Sequence, residues 1–167
     1  NQDIFVIGQG DKTDDGWLGA SIYQQHHGDD GIYAPPPLDL VAEQKTSSFV
    51  RQQILSGGIS AAHDIADGGL AVAIAEMAMR SGFGADIAVP KTGNLHGWAF
   101  GEDQARFVVT TADSQTLIAA AKEAGIEITK LGMVSDRSEL KFGDNDTISI
   151  TELNTVFEGC IPALMAG

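Results

Sequence analysis

The sequence is poor in basic residues and in long apolar runs, and each shortage excludes a class of partner. Ten Lys and Arg residues stand against 23 Asp and Glu residues, which gives a formal net charge of −13 at pH 7. Binding to nucleic acid or to an anionic membrane surface needs clustered cations, so we expect neither as a partner. No apolar run approaches the roughly 20 residues of a membrane span.

The sequence also has a single cysteine and no methionine before residue 77. The single cysteine, Cys160, cannot form a disulfide within the chain, which favours a reducing compartment and predicts a cytoplasmic location. We expect Cys160 to pack in the core on the apolar face of the last helix. The first methionine is Met77, whereas an apolar strand-like run begins at Ile4. No translation start precedes that run, so we expect the sequence to be a piece of a longer protein, from its C-terminal part.

The remaining composition is typical of one folded domain. With 43% hydrophobic and 20% charged residues over 167 positions, the chain can bury a single core. We predict one domain over residues 1–167, with a lead strand and a Gly- and Pro-rich excursion over 1–37 and a main body over 38–167. Strand-like and helical patterns alternate with one hairpin. This order predicts an α+β fold, a layered α/β structure in which helices flank a mixed sheet.

Two helices dominate the predicted main body. Asp39 is placed to cap the first, and its apolar residues fit one helical face: Leu40, Val41, Phe49, Val50, Ile54 and Leu55. The second runs from about Leu70 to Arg80 and is apolar nearly all round, as is typical of a helix buried on most sides. A short strand over 59–62 is predicted to precede it.

The segment between that strand and the second helix is the main candidate site. It reads H-D-I-A-D-G-G over residues 63–69. The amides and dipole of a helix start attract anions, and Gly68 and Gly69 would let the backbone approach a phosphate. Asp64 and Asp67 suit such a place only if Mg²⁺ lies between them and the phosphates. We therefore interpret Asp64 as a metal ligand and Asp67, Gly68 and Gly69 as nucleotide-binding.

A structural interpretation of the same segment stays open. Asp67 can cap the helix, while Asp64 and His63 hydrogen-bond the turn. The two interpretations are compatible, because Asp67 can cap while Asp64 faces a metal.

Two further polar segments are weaker candidates. Residues 100–106 read F-G-E-D-Q-A-R, which can shape a polar site or an interdomain contact. The simpler interpretation is a surface loop in which Arg106 pairs with Glu102 or Asp103, a kind of pair that contributes little stability. The adjacent His26 and His27 lack further ligands at useful spacing, so we interpret residues 26–30 as a solvated loop rather than a metal site.

Three strings occur in an order that identifies a family. They are A-P-P-P-L-D-L at 34–40, A-H-D-I-A-D-G-G-L-A-V-A-I-A-E-M at 62–77 and F-G-E-D-Q-A-R-F at 100–107. Together they closely resemble the C-terminal part of bacterial phosphoribosylformylglycinamidine synthase, small-type synthetase subunit. I-G-Q at 7–9 and G-W-L-G at 16–19 are similar to the segment that precedes that domain. The 63–70 core alone is similar to the whole superfamily of aminoimidazole ribonucleotide synthetase, whose C-terminal domain fold is implied here.

The resemblance implies an ATP-dependent ligase of de novo purine synthesis. Such an enzyme converts formylglycinamide ribonucleotide to the amidine with ammonia from a separate glutaminase subunit, and a small third subunit joins the complex. Asp64 matches the family aspartate that contacts Mg²⁺, whereas Ala66 stands where the motif has a nucleotide-contacting serine. The family's catalytic histidine and most ATP-binding residues belong to N-terminal domains of the same chain. The resemblance therefore implies no catalytic residue in this sequence, and an orienting or structural role for His63.

Two alternatives remain at this stage. One is another ATP-dependent synthetase or kinase of the same superfamily, such as an aminoimidazole ribonucleotide, selenophosphate or thiamine-phosphate enzyme. The other is a non-catalytic assembly domain, in which the apolar helix Leu70–Met79 packs against partner domains.

Overall fold

The computed structural model describes residues 2–8, 17–28, 33–144 and 146–166. Some positions named above lie outside these ranges: Gln9 of the 7–9 string, the first glycine of the 16–19 string, and both aspartates of the 26–30 segment. Asn145 also lies outside them.

Seven strands form one sheet. They are β1 (Asp3–Ile7), β2 (Ala61–Asp64), β3 (Gly84–Ile87), β4 (Phe107–Thr111), β5 (Ile128–Ser135), β6 (Glu139–Phe142) and β7 (Asp146–Ser149). Their order across the sheet is β2-β4-β1-β5-β3-β6-β7. β3 and β6 run parallel, and the other neighbouring pairs run antiparallel. The predicted mixed sheet is confirmed, and β2 forms one of its edges.

Six α-helices accompany the sheet within the described residues. They are α1 (Ile22–His27), α2 (Leu40–Leu55), α3 (Gly69–Ser81), α4 (Leu95–Phe100), α5 (Ser114–Glu123) and α6 (Ile150–Ala166). A short 3-10 helix, Leu18–Ala20, precedes α1. The pattern of the sequence did not predict α4. This helix begins after Asn94, and the Asn94 side chain accepts hydrogen bonds from the amide N–H groups of His96 and Gly97.

The central strand β1 shows why helices cover both faces of the sheet. Ile4 and Val6 pack into one buried cluster together with residues of α3, and Phe5 and Ile7 pack into another with residues of α2 and α5. Side chains alternate between the two faces of a strand, so a run of four apolar residues needs cover on both sides. The apolar run at the start of the chain thus requires a helix layer on each face.

The predicted apolar face of α2 is largely wrong. The cap is confirmed, since Asp39 Oδ1 accepts the amide N–H groups of Val41 and Ala42, both at 3.0 Å. Of the six apolar residues only Phe49 and Val50 are buried, and Val41 is 76% exposed. The helix contacts the sheet through a narrow stripe at its middle. The amphipathic pattern alone overestimated the width of this buried face.

The two apolar helices α3 and α6 differ in burial. In α3 only Arg80 and Ser81 are exposed, so its predicted burial on most sides is confirmed. In α6 only Ile150 is buried, and the helix continues through Pro162 to Ala166. Cys160 is exposed, so its predicted burial is wrong. The first turns of α6 anchor it to the core, and its remaining turns lie on the surface of the described chain.

Candidate functional site

Residues 63–69, here called the motif loop, leave the sheet at its edge. β2 ends at Asp64, two residues later than the predicted strand, because it pairs with β4 as far as Asp64 opposite Phe107 and His63 opposite Val108. Adjacent residues of a strand point to opposite faces. His63 therefore lies on the side of the sheet that α3 covers, and Asp64 lies on the other.

His63 connects the edge strand to α3. Its Nε2 lies 3.1 Å from the Glu76 carboxylate of α3, and its Nδ1 lies 2.6 Å from the backbone oxygen of Asp64. Both ring nitrogens therefore face oxygen atoms of the protein. This geometry agrees with the orienting or structural role that was expected for His63.

Asp64 presents its carboxylate to solvent. Its side chain is 68% exposed, with one oxygen 3.6 Å from His63 Nδ1. Asp67 is exposed as well. Across the ranges that the structure describes, no three His, Cys, Asp or Glu side chains form a group that could hold a metal ion. Mg²⁺ commonly takes one or two carboxylates plus phosphate oxygens, so these residues fit a metal that other ligands complete.

The start of α3 differs from the predicted cap. The helix begins at Gly69, Gly68 is the N-cap residue with φ 82°, and no side chain caps the helix from that position. The structural interpretation of Asp67 as the cap is therefore wrong. The backbone N–H of Gly68 donates instead to Glu102 Oε1, at 2.7 Å.

Gly69 has a packing role that the sequence did not predict. Its N–H donates to the Ala66 oxygen at 3.0 Å, and its φ is 72°. A Cβ atom at this position would lie 2.7 Å from the Phe100 Cα and 2.9 Å from the Gly101 oxygen. Only glycine permits this approach, because both neighbours are backbone atoms that no side-chain rotation can move. The amides of Gly68 and Gly69 are thus both engaged within the fold.

Residues 100–106, here called the support loop, hold the motif loop at three points. Phe100 and Gly101 contact Gly69, Glu102 accepts the Gly68 N–H, and the Arg106 oxygen accepts the Ile65 N–H at 2.9 Å. Glu102 Oε1 also accepts the N–H of Ile22 at 2.9 Å, which ties in the start of α1. The two segments that the sequence offered as separate candidates therefore form one structural unit.

The predicted pairing of Arg106 is confirmed, but the pair is not on the surface. The Arg106 guanidinium contacts the Asp103 carboxylate, and their side chains are only 9% and 7% exposed. Arg106 Nη2 also donates to the Gly101 oxygen at 3.2 Å. Removing one partner of a buried ion pair typically costs about 3–5 kcal/mol, so this pair fixes the shape of the support loop.

An aromatic cluster joins α1 to α4 beside the support loop. Tyr23 stacks on Phe100 with ring centroids 4.8 Å apart, and its hydroxyl bonds the Nδ1 of His96. Sequence reasoning missed this cluster because its members are up to 77 positions apart. His26 and His27 belong to α1, not to a loop, and both are exposed.

The sequence of the chain matches a known family and several relatives. The model of the family described as AIR synthase related protein, C-terminal domain, matches residues 2–145. The chain belongs to this family. It is 43% identical over 154 residues to the phosphoribosylformylglycinamidine synthase subunit PurL of Methylocella silvestris, covering 91% of this chain and 21% of the relative. The PurL subunit of Azorhizobium caulinodans is 51% identical over 132 residues, covering 77% and 17%.

Solved structures show the same fold. T. maritima PurL complexed with FGAR matches 91% of this chain and 27% of its own, with a TM-score of 0.75 and 18% identity. A thiamine-monophosphate kinase from Stenotrophomonas maltophilia matches 84% and 49%, with a TM-score of 0.53 and 19% identity. At these identities the likeness concerns the fold. The AIR synthase related domain thus spans about a fifth of the curated relatives that it matches.

Two further properties of this AIR synthase related domain concern a motif position and its helices. Ala66 is exposed in the motif loop and carries no hydroxyl, so at this position only the backbone can hydrogen-bond a ligand. None of the helices in the described part of the chain combines the length and the apolarity that crossing a membrane would take.

Proposed function

We propose that the chain is one domain of a phosphoribosylformylglycinamidine synthase, the ATP-dependent ligase that converts formylglycinamide ribonucleotide and ammonia to the amidine. The observation that carries this proposal is the 43% identity to a PurL subunit over 91% of the chain. The motif loop supports it, because it places an exposed carboxylate at the junction of a strand and a helix, where α/β folds usually bind ligands.

The activity of the whole protein requires more than this chain. The relatives are about five times longer, so we assign the catalytic histidine and most ATP contacts to N-terminal domains of the same protein. A glutaminase subunit and a small third subunit would supply ammonia and complete the complex. The solved structure of PurLQS from Thermotoga maritima, whose PurL has the same fold, supports such an assembly. We place the protein in the cytoplasm.

Within the site, we assign Asp64 to Mg²⁺ and Asp67 to the nucleotide side, and we assign Gly68 and Gly69 to the turn that carries both aspartates. The exposure of Asp64 supports this, since a solvent-facing carboxylate can reach a bound metal without losing an internal hydrogen bond. Mg²⁺ would supply positive charge against the ATP phosphates, which a chain of net charge −13 otherwise repels. Gly68 and Gly69 then shape the turn, because their amides donate to Glu102 and Ala66.

The substitution Asp64→Asn in the full-length protein tests this assignment. It removes one negative charge and keeps the shape of the side chain. We expect the Kd of Mg²⁺-ATP, measured by calorimetry, to rise at least about tenfold, which corresponds to about 1.4 kcal/mol. Asp136→Asn is the matched control, because Asp136 is an exposed aspartate outside the motif and support loops. Unchanged affinity in a folded Asp64→Asn protein would remove Asp64 from the metal site.

A further inference from the structure

We propose that Glu102 is a positioning residue, whose carboxylate serves as the internal anion at the start of α3 and holds the motif loop in the shape that presents Asp64. Its oxygen Oε1 accepts the N–H of Gly68 at 2.7 Å and the N–H of Ile22 at 2.9 Å. One oxygen thus joins the starts of α3 and α1, which lie 34 and 80 positions from it in the sequence. The statement about Asp64 rests on the proposed function, whereas the double contact of Glu102 does not.

A carboxylate has a specific physical advantage at this place. The start of the 13-residue helix α3 carries partial positive charge, which favours a nearby anion. Hydrogen bonds from amides to an ionised oxygen are also shorter and stronger than those to a neutral one. The Glu102 carboxylate therefore accepts a hydrogen bond from the start of α3 and balances its partial positive charge without any bound ligand.

The contact also limits how a phosphate can reach the motif loop. The N–H of Gly68 donates to Glu102, and the N–H of Gly69 donates to the Ala66 oxygen. Both glycines are buried, and the support loop lies against Gly69. A phosphate could reach the Gly68 amide only by displacing Glu102. The motif loop therefore binds an anionic ligand through a cation that the exposed Asp64 holds.

The two parts of the proposal need different substitutions. Glu102→Gln keeps an amide oxygen that can accept both N–H groups, but it removes the negative charge. Glu102→Ala removes the acceptor and leaves a carboxylate-sized space between two amides. Glu123→Ala is the control, because Glu123 is an exposed glutamate at the end of α5, away from both loops.

Hydrogen exchange in the full-length protein tests the contact itself. We expect peptides that contain Gly68 and Ile22 to exchange at least about tenfold faster in Glu102→Ala than in wild type, with a smaller increase in Glu102→Gln. Peptides from α5 should keep their wild-type rates in all variants. Wild-type exchange at both sites in Glu102→Ala would show that Glu102 does not bridge them, and would overturn the proposal.

Rescue by a small carboxylate tests the positioning role. The Kd of Mg²⁺-ATP should rise at least about fivefold in Glu102→Ala, and sodium acetate at 100–200 mM should restore most of the loss, while sodium chloride at equal ionic strength should not. Wild type and Glu123→Ala should not respond to acetate. Faster exchange with unchanged affinity would overturn the positioning role. If Glu102→Ala does not fold, Glu102→Gln tests the proposal instead. The same affinity measurement applies, together with the exchange of the peptides that contain Gly68 and Ile22.

The proposal and the proposed function can fail separately. Absence of amidine formation by the wild-type protein would remove the ligase assignment and leave the exchange result for Glu102 intact. Normal exchange in Glu102→Ala within an active ligase would remove only the role of Glu102.

Discussion

Replacing Gly69 with alanine measures how closely the support loop packs on the start of α3. The new Cβ would lie 2.7 Å from two backbone atoms of Phe100 and 2.9 Å from the Gly101 oxygen, well inside normal contact distance. A non-glycine residue at φ 72° also costs about 1–2 kcal/mol. Relief of the contact requires movement of the backbone, and overpacking of this kind typically costs about 1–3 kcal/mol more. We therefore expect a total loss of about 2–5 kcal/mol.

Gly82, at the other end of α3, provides the matched control. Its φ is 76°, and a Cβ atom there would meet nothing within 4 Å. Gly82→Ala should therefore show the backbone strain alone, about 1–2 kcal/mol. The difference between the two variants isolates the contact with the support loop.

Urea unfolding provides the assay. Trp98 of α4 packs against the cluster that contains α3, so its fluorescence reports on this part of the core. Equal losses of unfolding free energy in Gly69→Ala and Gly82→Ala, with unchanged m-values, would refute the close packing inferred at Gly69.

Two further predictions concern acid stability and activity. The Ser114 hydroxyl, which lies 2.5 Å from Asp3 Oδ2, and Lys130 hold the pKa of Asp3 below its usual value. The ionised Asp3 therefore stabilises the fold above about pH 4, and this contribution is lost as the pH falls through the lowered pKa. Asp3→Asn should lower the unfolding free energy at pH 7 by roughly 1 kcal/mol and flatten its decline between pH 5 and pH 2; an equally steep decline in acid titrations would contradict this. The isolated 167-residue chain should form no amidine from ammonia, ATP and formylglycinamide ribonucleotide in a coupled ADP assay. Measurable turnover would place catalytic groups within this chain.

Local signals predicted most of the elements correctly. The cap at Asp39 was placed from residue type alone, because a capping side chain needs only the amides of its own first turn. The apolar run of β1 predicted a buried strand for the same reason, since its pattern lies in adjacent residues. The mixed sheet and the helix α3 followed from similar short-range patterns.

Exposure was predicted less well. Val41 and Cys160 lie in apolar helical patterns but are exposed in the described structure. An amphipathic pattern states which residues can share a face, whereas the packing of the helix decides how much of that face is covered. The burial of the Arg106–Asp103 pair has the same cause, because the loop that carries it packs against the motif loop.

The sequence by itself determined the chemistry that is available at the site. It placed two aspartates and two glycines between a strand and a helix, and it offered the support loop as a second polar segment. Only the tertiary structure decided that Glu102 accepts the Gly68 amide in place of a cap by Asp67. The physical reason is distance along the chain. A cap by Asp67 was the local option, but the fold brings a residue 34 positions away to the same amide, and no local pattern records that approach.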